Sequence, residues 1–88
     1  MDQINWVLVE KLEDELYQKN VGYTTALEIT PGGNRNGLDY GPKVCEIVRL
    51  DEHDLAYRYS DDSINCRWAL GTAEDVVLLM QTTREMNA

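Results

Sequence analysis

The chain has 88 residues, a formal net charge of -8, a pI near 4.4 and 43% hydrophobic residues. That length makes one domain with a modest core. With no long apolar run and a mean hydropathy of -0.45, it excludes a membrane span, which takes about 20 apolar residues. The acidity argues against direct binding to nucleic acid or to an anionic membrane and favours a basic partner. Met1 is followed by Asp2 with no signal-peptide pattern, so the expected location is cytoplasmic.

The first element expected is an amphipathic helix over DQINWVLVEKLEDELYQKNVG. Ile4, Leu8, Leu12 and Leu16 recur every four residues, with Val9 on the same stripe and Val7 off it. Asp2 is the expected N-cap, Asn20 and Gly22 the stop, and Glu15–Lys19 an i,i+4 pair.

From Tyr23 the period changes to two, and YTTALEIT reads as a strand with Tyr23, Thr25, Leu27 and Ile29 on one face. KVCEIVRL is a second strand whose facing is ambiguous, because both alternating sets are apolar. LAYRYS is a third, with Leu55, Tyr57 and Tyr59 on one face, and INCRWAL a fourth. Trp68, Tyr57 and Tyr59 are expected on the packed face. The polar turns DEHD and DDS join these runs, as in an antiparallel meander.

A last helix begins at TAED, where Thr72 and Asp75 have capping-box spacing. Ala73, Val76, Val77 and Met80 form its apolar stripe, and Leu78 lies opposite. The fold class expected is α+β, in the order α-β-β-β-β-α, with a four-stranded antiparallel sheet covered on one face by the N- and C-terminal helices. Residues 1–88 form a single domain in this reading.

Between the first two strands lies ITPGGNRNGLDYGPKV, read as a long Gly/Pro-rich loop over residues 31–43. It lacks the glycine-to-lysine spacing and the following helix of a phosphate loop. It carries Arg35, Leu38 and Tyr40, side-chain types common in protein contacts. Cys45 and Cys66 fall on strands separated by a third, too far apart for a disulfide, and are expected to be free thiols.

His53 in DEHD is the single histidine. One imidazole in a solvated turn neither builds a zinc site nor finds the nucleophile and oxyanion groups that catalysis needs. Neither cysteine has an activating neighbour, since Glu46 beside Cys45 disfavours the thiolate. The expectation is a non-enzymatic protein without metal or cofactor.

Charge placement is the most informative feature. Residues 1–20 hold five acids against two bases, and residues 51–62 five against one. The candidate partner-binding residues are Asp51, Glu52, Asp54, Asp61 and Asp62 in the turns, Arg35 and Tyr40 in the loop, and Trp6 and Leu78 on the helices. Carboxylates in this number suit a partner rich in Lys and Arg.

Small size, acidity, free thiols and the lack of a catalytic set fit the physical type of compact inhibitor proteins. Phage anti-defence proteins of the anti-CRISPR kind and nuclease immunity proteins are of that type; this is an analogy of type, not of sequence. The leading expectation is therefore an inhibitor of a basic protein such as a nuclease or another nucleic-acid-binding protein. A homodimeric regulatory module is the second reading, and a small-ligand binder with the 31–43 loop as a lid the third.

Overall fold

The computed structural model describes residues 3–86. Its elements are α1 (Trp6–Leu16), β1 (Thr24–Thr30), β2 (Gly33–Arg35), β3 (Leu38–Tyr40), β4 (Lys43–Arg49), β5 (Leu55–Ser60), β6 (Ala69–Gly71) and α2 (Ala73–Met86). The four-stranded sheet has the order β1-β4-β5-β6 with every pair antiparallel, and β2 and β3 form a separate two-stranded sheet. The α-β-β-β-β-α frame holds, with a hairpin inserted after its first strand.

The helical layer covers one sheet face. Val9, Leu12 and Leu16 of α1 and Ala73, Val76, Val77 and Met80 of α2 are buried against Ile29, Cys45, Ile47 and Leu55. Register settles the ambiguous strand β4. Leu27 lies opposite Cys45 and Thr25 opposite Ile47, so Cys45 and Ile47 face the helices while Val44, Glu46 and Val48 face away.

α1 is shorter than its pattern. It starts with Asn5 as N-cap, whose side-chain oxygen accepts the Leu8 N–H at 3.1 Å, and ends at Tyr17. The Asn5 N–H donates to Gln81 of α2 at 2.8 Å, a tertiary bond that fixes the start. Asp2, the expected cap, lies outside the described residues. Lys19 falls beyond the helix and sits 5.5 Å from the Tyr23 ring, so Glu15–Lys19 is not a helical pair. At the start of α2, Asp75 accepts the Thr72 N–H at 2.8 Å and the Thr72 hydroxyl at 3.2 Å, the reach-back half of a capping box.

The expected fourth strand over residues 64–70 contracts to β6. Asp61 accepts N–H bonds from Ser63 and Ile64, and Ser60 bridges Asn65, so the chain turns tightly before it can pair. Trp68 is thereby displaced from the packed face. It is 44% exposed and lies under the Arg58 guanidinium, 4.4 Å from the ring centroid. Arg58 also bonds Glu46 at 2.9 Å on the helix-free face. Tyr57 and Tyr59 do pack against the core.

Both cysteines are free, Cys45 buried and Cys66 half-buried. Burial pushes the Cys45 thiol up to about 12. A thiol reagent at neutral pH is therefore expected to label Cys66 at least about a hundredfold faster, with Cys45 reacting only on unfolding. Mass mapping of the labelled sites checks this; equal rates would contradict the packing.

Candidate functional site

The two acidic hairpin turns lie at opposite ends of the sheet, because β5 runs its full length between them. Each is built by its first aspartate. Asp51 accepts from the N–H groups of His53 at 2.8 Å and Asp54 at 2.7 Å, and these bonds hold its carboxyl below the usual range. Asp61 repeats the pattern with Ser63 at 2.8 Å and Ile64 at 2.9 Å, and also accepts the Tyr59 hydroxyl at 2.5 Å.

The Tyr59 hydroxyl first, and then the Ser63 N–H, lower the Asp61 carboxyl to about 2. A carboxyl depressed in the folded state contributes stability above its unfolded value near 3.8, and that contribution is lost as pH falls through about 2. The urea midpoints of the parent and Asp61→Asn are expected to differ at pH 6, to draw together as pH falls below about 4, and to converge only below about pH 2. A gap independent of pH would contradict this role. Asp62 is engaged too, accepting the Gly41 N–H.

At the other end the structure joins acidic segments that are remote in sequence. The Tyr17 hydroxyl, just past α1, donates to the His53 carbonyl at 2.8 Å. Its pKa is raised, chiefly by burial and then by the charges of Glu13 and Asp54. Arg49 lies beneath, 5.7 Å from the Tyr17 ring, donating to the carbonyls of Lys19 and Asp51. The charges of Glu13 in α1 and Asp54 in the β4–β5 turn thus both reach Tyr17, and Glu52 belongs to the same turn. Glu10 and Asp14 share the helix face of Glu13 and Tyr17. All five of these acids are exposed. Glu10, Glu13 and Asp14 carry part of the acidic charge noted for residues 1–20, although the partner-binding residues chosen from sequence on the helices were Trp6 and Leu78.

The 31–43 segment is not an irregular loop. It is a β-hairpin whose turn is Asn36-Gly37, with φ of 55° and 83°, the paired positive values of a type I′ turn. Arg35 pairs with Leu38 and Gly33 with Tyr40, so Arg35, Leu38 and Tyr40 share one hairpin face. Asn34 and Asp39 occupy the other, bonded side chain to side chain at 2.8 Å.

Trp6 is 55% exposed and Leu78 37% exposed. Leu78 lies one turn before Gln81, which holds Asn5, so both flank the start of α1. The nine residues singled out from sequence therefore fall into separate groups: the acidic end, the hairpin with its neighbouring turn, and the helical layer.

Among the described residues, no group of three or more His, Cys, Asp or Glu is arranged to hold a metal ion, and no helix is long and apolar enough to cross a membrane. Comparison with known proteins returns no similarity: no family model, curated protein or solved structure matches the chain.

Proposed function

We propose that the protein is a non-enzymatic inhibitor that binds a basic, nucleic-acid-handling protein through its acidic end. The observation that carries this reading is the junction at Tyr17, whose hydroxyl ties the end of α1 to the β4–β5 turn within reach of the charges of both Glu13 and Asp54; Glu10 and Asp14 share the helix face of Glu13 by spacing, and Glu52 belongs to the turn. A surface of this kind competes for the lysines and arginines that contact phosphates, and its field speeds association. The narrower analogies, anti-CRISPR-type and nuclease-immunity proteins, share that physical logic.

The reading narrows the turn residues by role. Glu52 and Asp54 belong to the contact, Asp51 shapes the turn that presents them, and Asp61 and Asp62 serve the opposite end. The test is affinity capture of the tagged protein from a lysate of cells that carry its gene, washed at low and high salt. A stoichiometric basic protein released at high salt supports the proposal. A partner that is acidic, or that survives high salt unchanged, contradicts the electrostatic contact and favours an apolar seam such as that of Trp6 and Leu78.

A further inference from the structure

β1 forms one edge of the four-stranded sheet, bordered only by β4. The Arg49 N–H donates to the Tyr23 carbonyl at 2.9 Å, which fixes the phase of the β1–β4 ladder. Bonded and non-bonded pairs alternate along an antiparallel ladder. With Thr25 opposite Ile47 and Leu27 opposite Cys45, the main-chain groups of Thr25 and Leu27 therefore point at β4. Those of Thr24, Ala26 and Glu28 point outward, and all three residues are exposed. The edge thus presents three N–H and three C=O groups with no strand beside them. It ends at Glu28, because the register shifts between Glu28 and Thr30 and Arg84 of α2 donates to the Ile29 carbonyl at 3.0 Å.

Exposed edges are usually blunted by Pro, by Lys, by a bulge or by extreme shortness. The opposite edge of the sheet, β6, is three residues long. β1 has seven, TTALEIT, with no Pro, no Lys and no bulge before Glu28. Thr, Leu and Ile dominate it, and a half-buried strand suits them.

We propose that β1 pairs antiparallel with β1 of a second copy of this chain, about a twofold axis at Ala26, joining two four-stranded sheets into one of eight strands. The outward groups select this register. Only with Ala26 opposite its own copy, and Thr24 opposite Glu28 on both sides, do all the outward groups of the two chains bond one another. The same register matches the side chains. On the helix-covered face Thr25 meets Leu27, carrying the packed layer from one copy to the other. On the open face the small Ala26 pair lies at the axis, and Glu28 meets the Thr24 hydroxyl rather than a second carboxylate. The two Glu28 positions stand about 13 Å apart along the strands by strand rise, beyond the screening length of about 8 Å at physiological salt. The β4–β5 turn follows Arg49, which is bonded at the Gly22–Tyr23 start of β1, so antiparallel pairing sends the two acidic ends to opposite ends of the dimer. Self-complementarity in bonding and in charge commits the edge to a second copy rather than to an arbitrary strand. A strand pair of this length is a small interface, below about 1,200 Å², so the expected dimer dissociates on dilution. It uses neither Glu13, Glu52 nor Asp54, and stands whether or not the acidic end binds a protein.

The test is sedimentation equilibrium of the full chain from micromolar to millimolar concentration, with amide hydrogen exchange followed at both ends of that range. A reversible dimer of twice the 10.1 kDa chain mass is expected. The Thr24, Ala26 and Glu28 amides are expected to exchange at least about tenfold more slowly in the dimer. Ala26→Pro removes the central outward N–H without removing a β1–β4 bond, a position where an edge strand tolerates proline. Ala26→Lys sets a charge against its own copy at the axis. Each is expected to weaken dimerisation by more than about tenfold, with the parent's circular dichroism retained in at least the lysine variant. Trp6→Ala and Leu78→Ala are expected to leave it unchanged. A parent that stays monomeric at millimolar concentration overturns the proposal. So does a dimer that persists in a folded Ala26 variant, or one that leaves the three edge amides unprotected.

Discussion

Leu16→Ala lowers the unfolding free energy by about 3 kcal/mol, the middle of the range for truncating a buried leucine. Leu16 has no exposed surface and belongs to the cluster that joins both helices to Ile29, Cys45, Ile47 and Leu55. In a domain of this size stability is about 5–10 kcal/mol, so the loss is a large fraction of the total, and the melting temperature falls by about 15 °C. Leu16 also ends the last turn of α1. Loosening it frees Tyr17, whose hydroxyl ties the helix to the β4–β5 turn. Val7→Ala, at a position 77% exposed, is the matched control and costs less than about 0.5 kcal/mol. Urea denaturation of the two variants checks the helix register; similar losses at both positions would contradict it.

The second large effect is on association. Neutralising the acidic end with Glu13→Gln, Glu52→Gln and Asp54→Asn together is expected to weaken binding to the captured basic partner by about tenfold to a hundredfold and to flatten its salt dependence. All three residues are exposed, and substitutions at such positions typically change stability by less than about 0.5 kcal/mol. Unfolding curves should therefore overlay those of the parent. Neutralising Asp62 instead should leave affinity unchanged while disturbing its contact with the Gly41 N–H. Kinetic binding measurements across salt concentrations separate these outcomes, and an unchanged salt slope in the triple variant would remove the electrostatic contact.

The frame was legible where one physical rule dominated locally. The four-residue recurrence of Leu8, Leu12 and Leu16 marked the buried face of α1, and Ala73, Val76, Val77 and Met80 did so for α2. The alternation of Leu55, Tyr57 and Tyr59 gave the facing of β5. What escaped depended on partners distant in sequence. Asn5 is the N-cap of α1, and its backbone N–H bonds Gln81 of α2, a partner 76 residues away that no local pattern announces. The alternation from Ile64 to Leu70 promised a strand, yet Asp61 folds the chain into a turn, and Trp68 finds Arg58 rather than the core.

The hairpin carried a readable signal, Asn36-Gly37, the strongest short turn pair for two-residue hairpin loops. Its flanks are three residues each, Gly33–Arg35 has no apolar residue and Leu38–Tyr40 offers a single alternation, so the surrounding glycines and prolines made it look irregular. The register that sets Arg35 beside Tyr40 follows from that turn. The acid-rich runs in residues 1–20 and 51–62 were each legible, but their meeting at one end of the fold was not. Tyr17 and His53 are 36 residues apart, and only the antiparallel β4–β5 pairing and the packing of α1 bring Glu13 and Asp54 to the same hydroxyl.

An inhibitor that binds through its acidic end should displace nucleic acid from its basic partner. The basic partner recovered by capture is bound to a fluorescently labelled oligonucleotide, and the protein is added at constant salt while anisotropy is followed. The parent is expected to release the oligonucleotide stoichiometrically, and the Glu13→Gln, Glu52→Gln, Asp54→Asn variant to release it much more weakly. A stable ternary complex, with the oligonucleotide still bound at saturating protein, would contradict it.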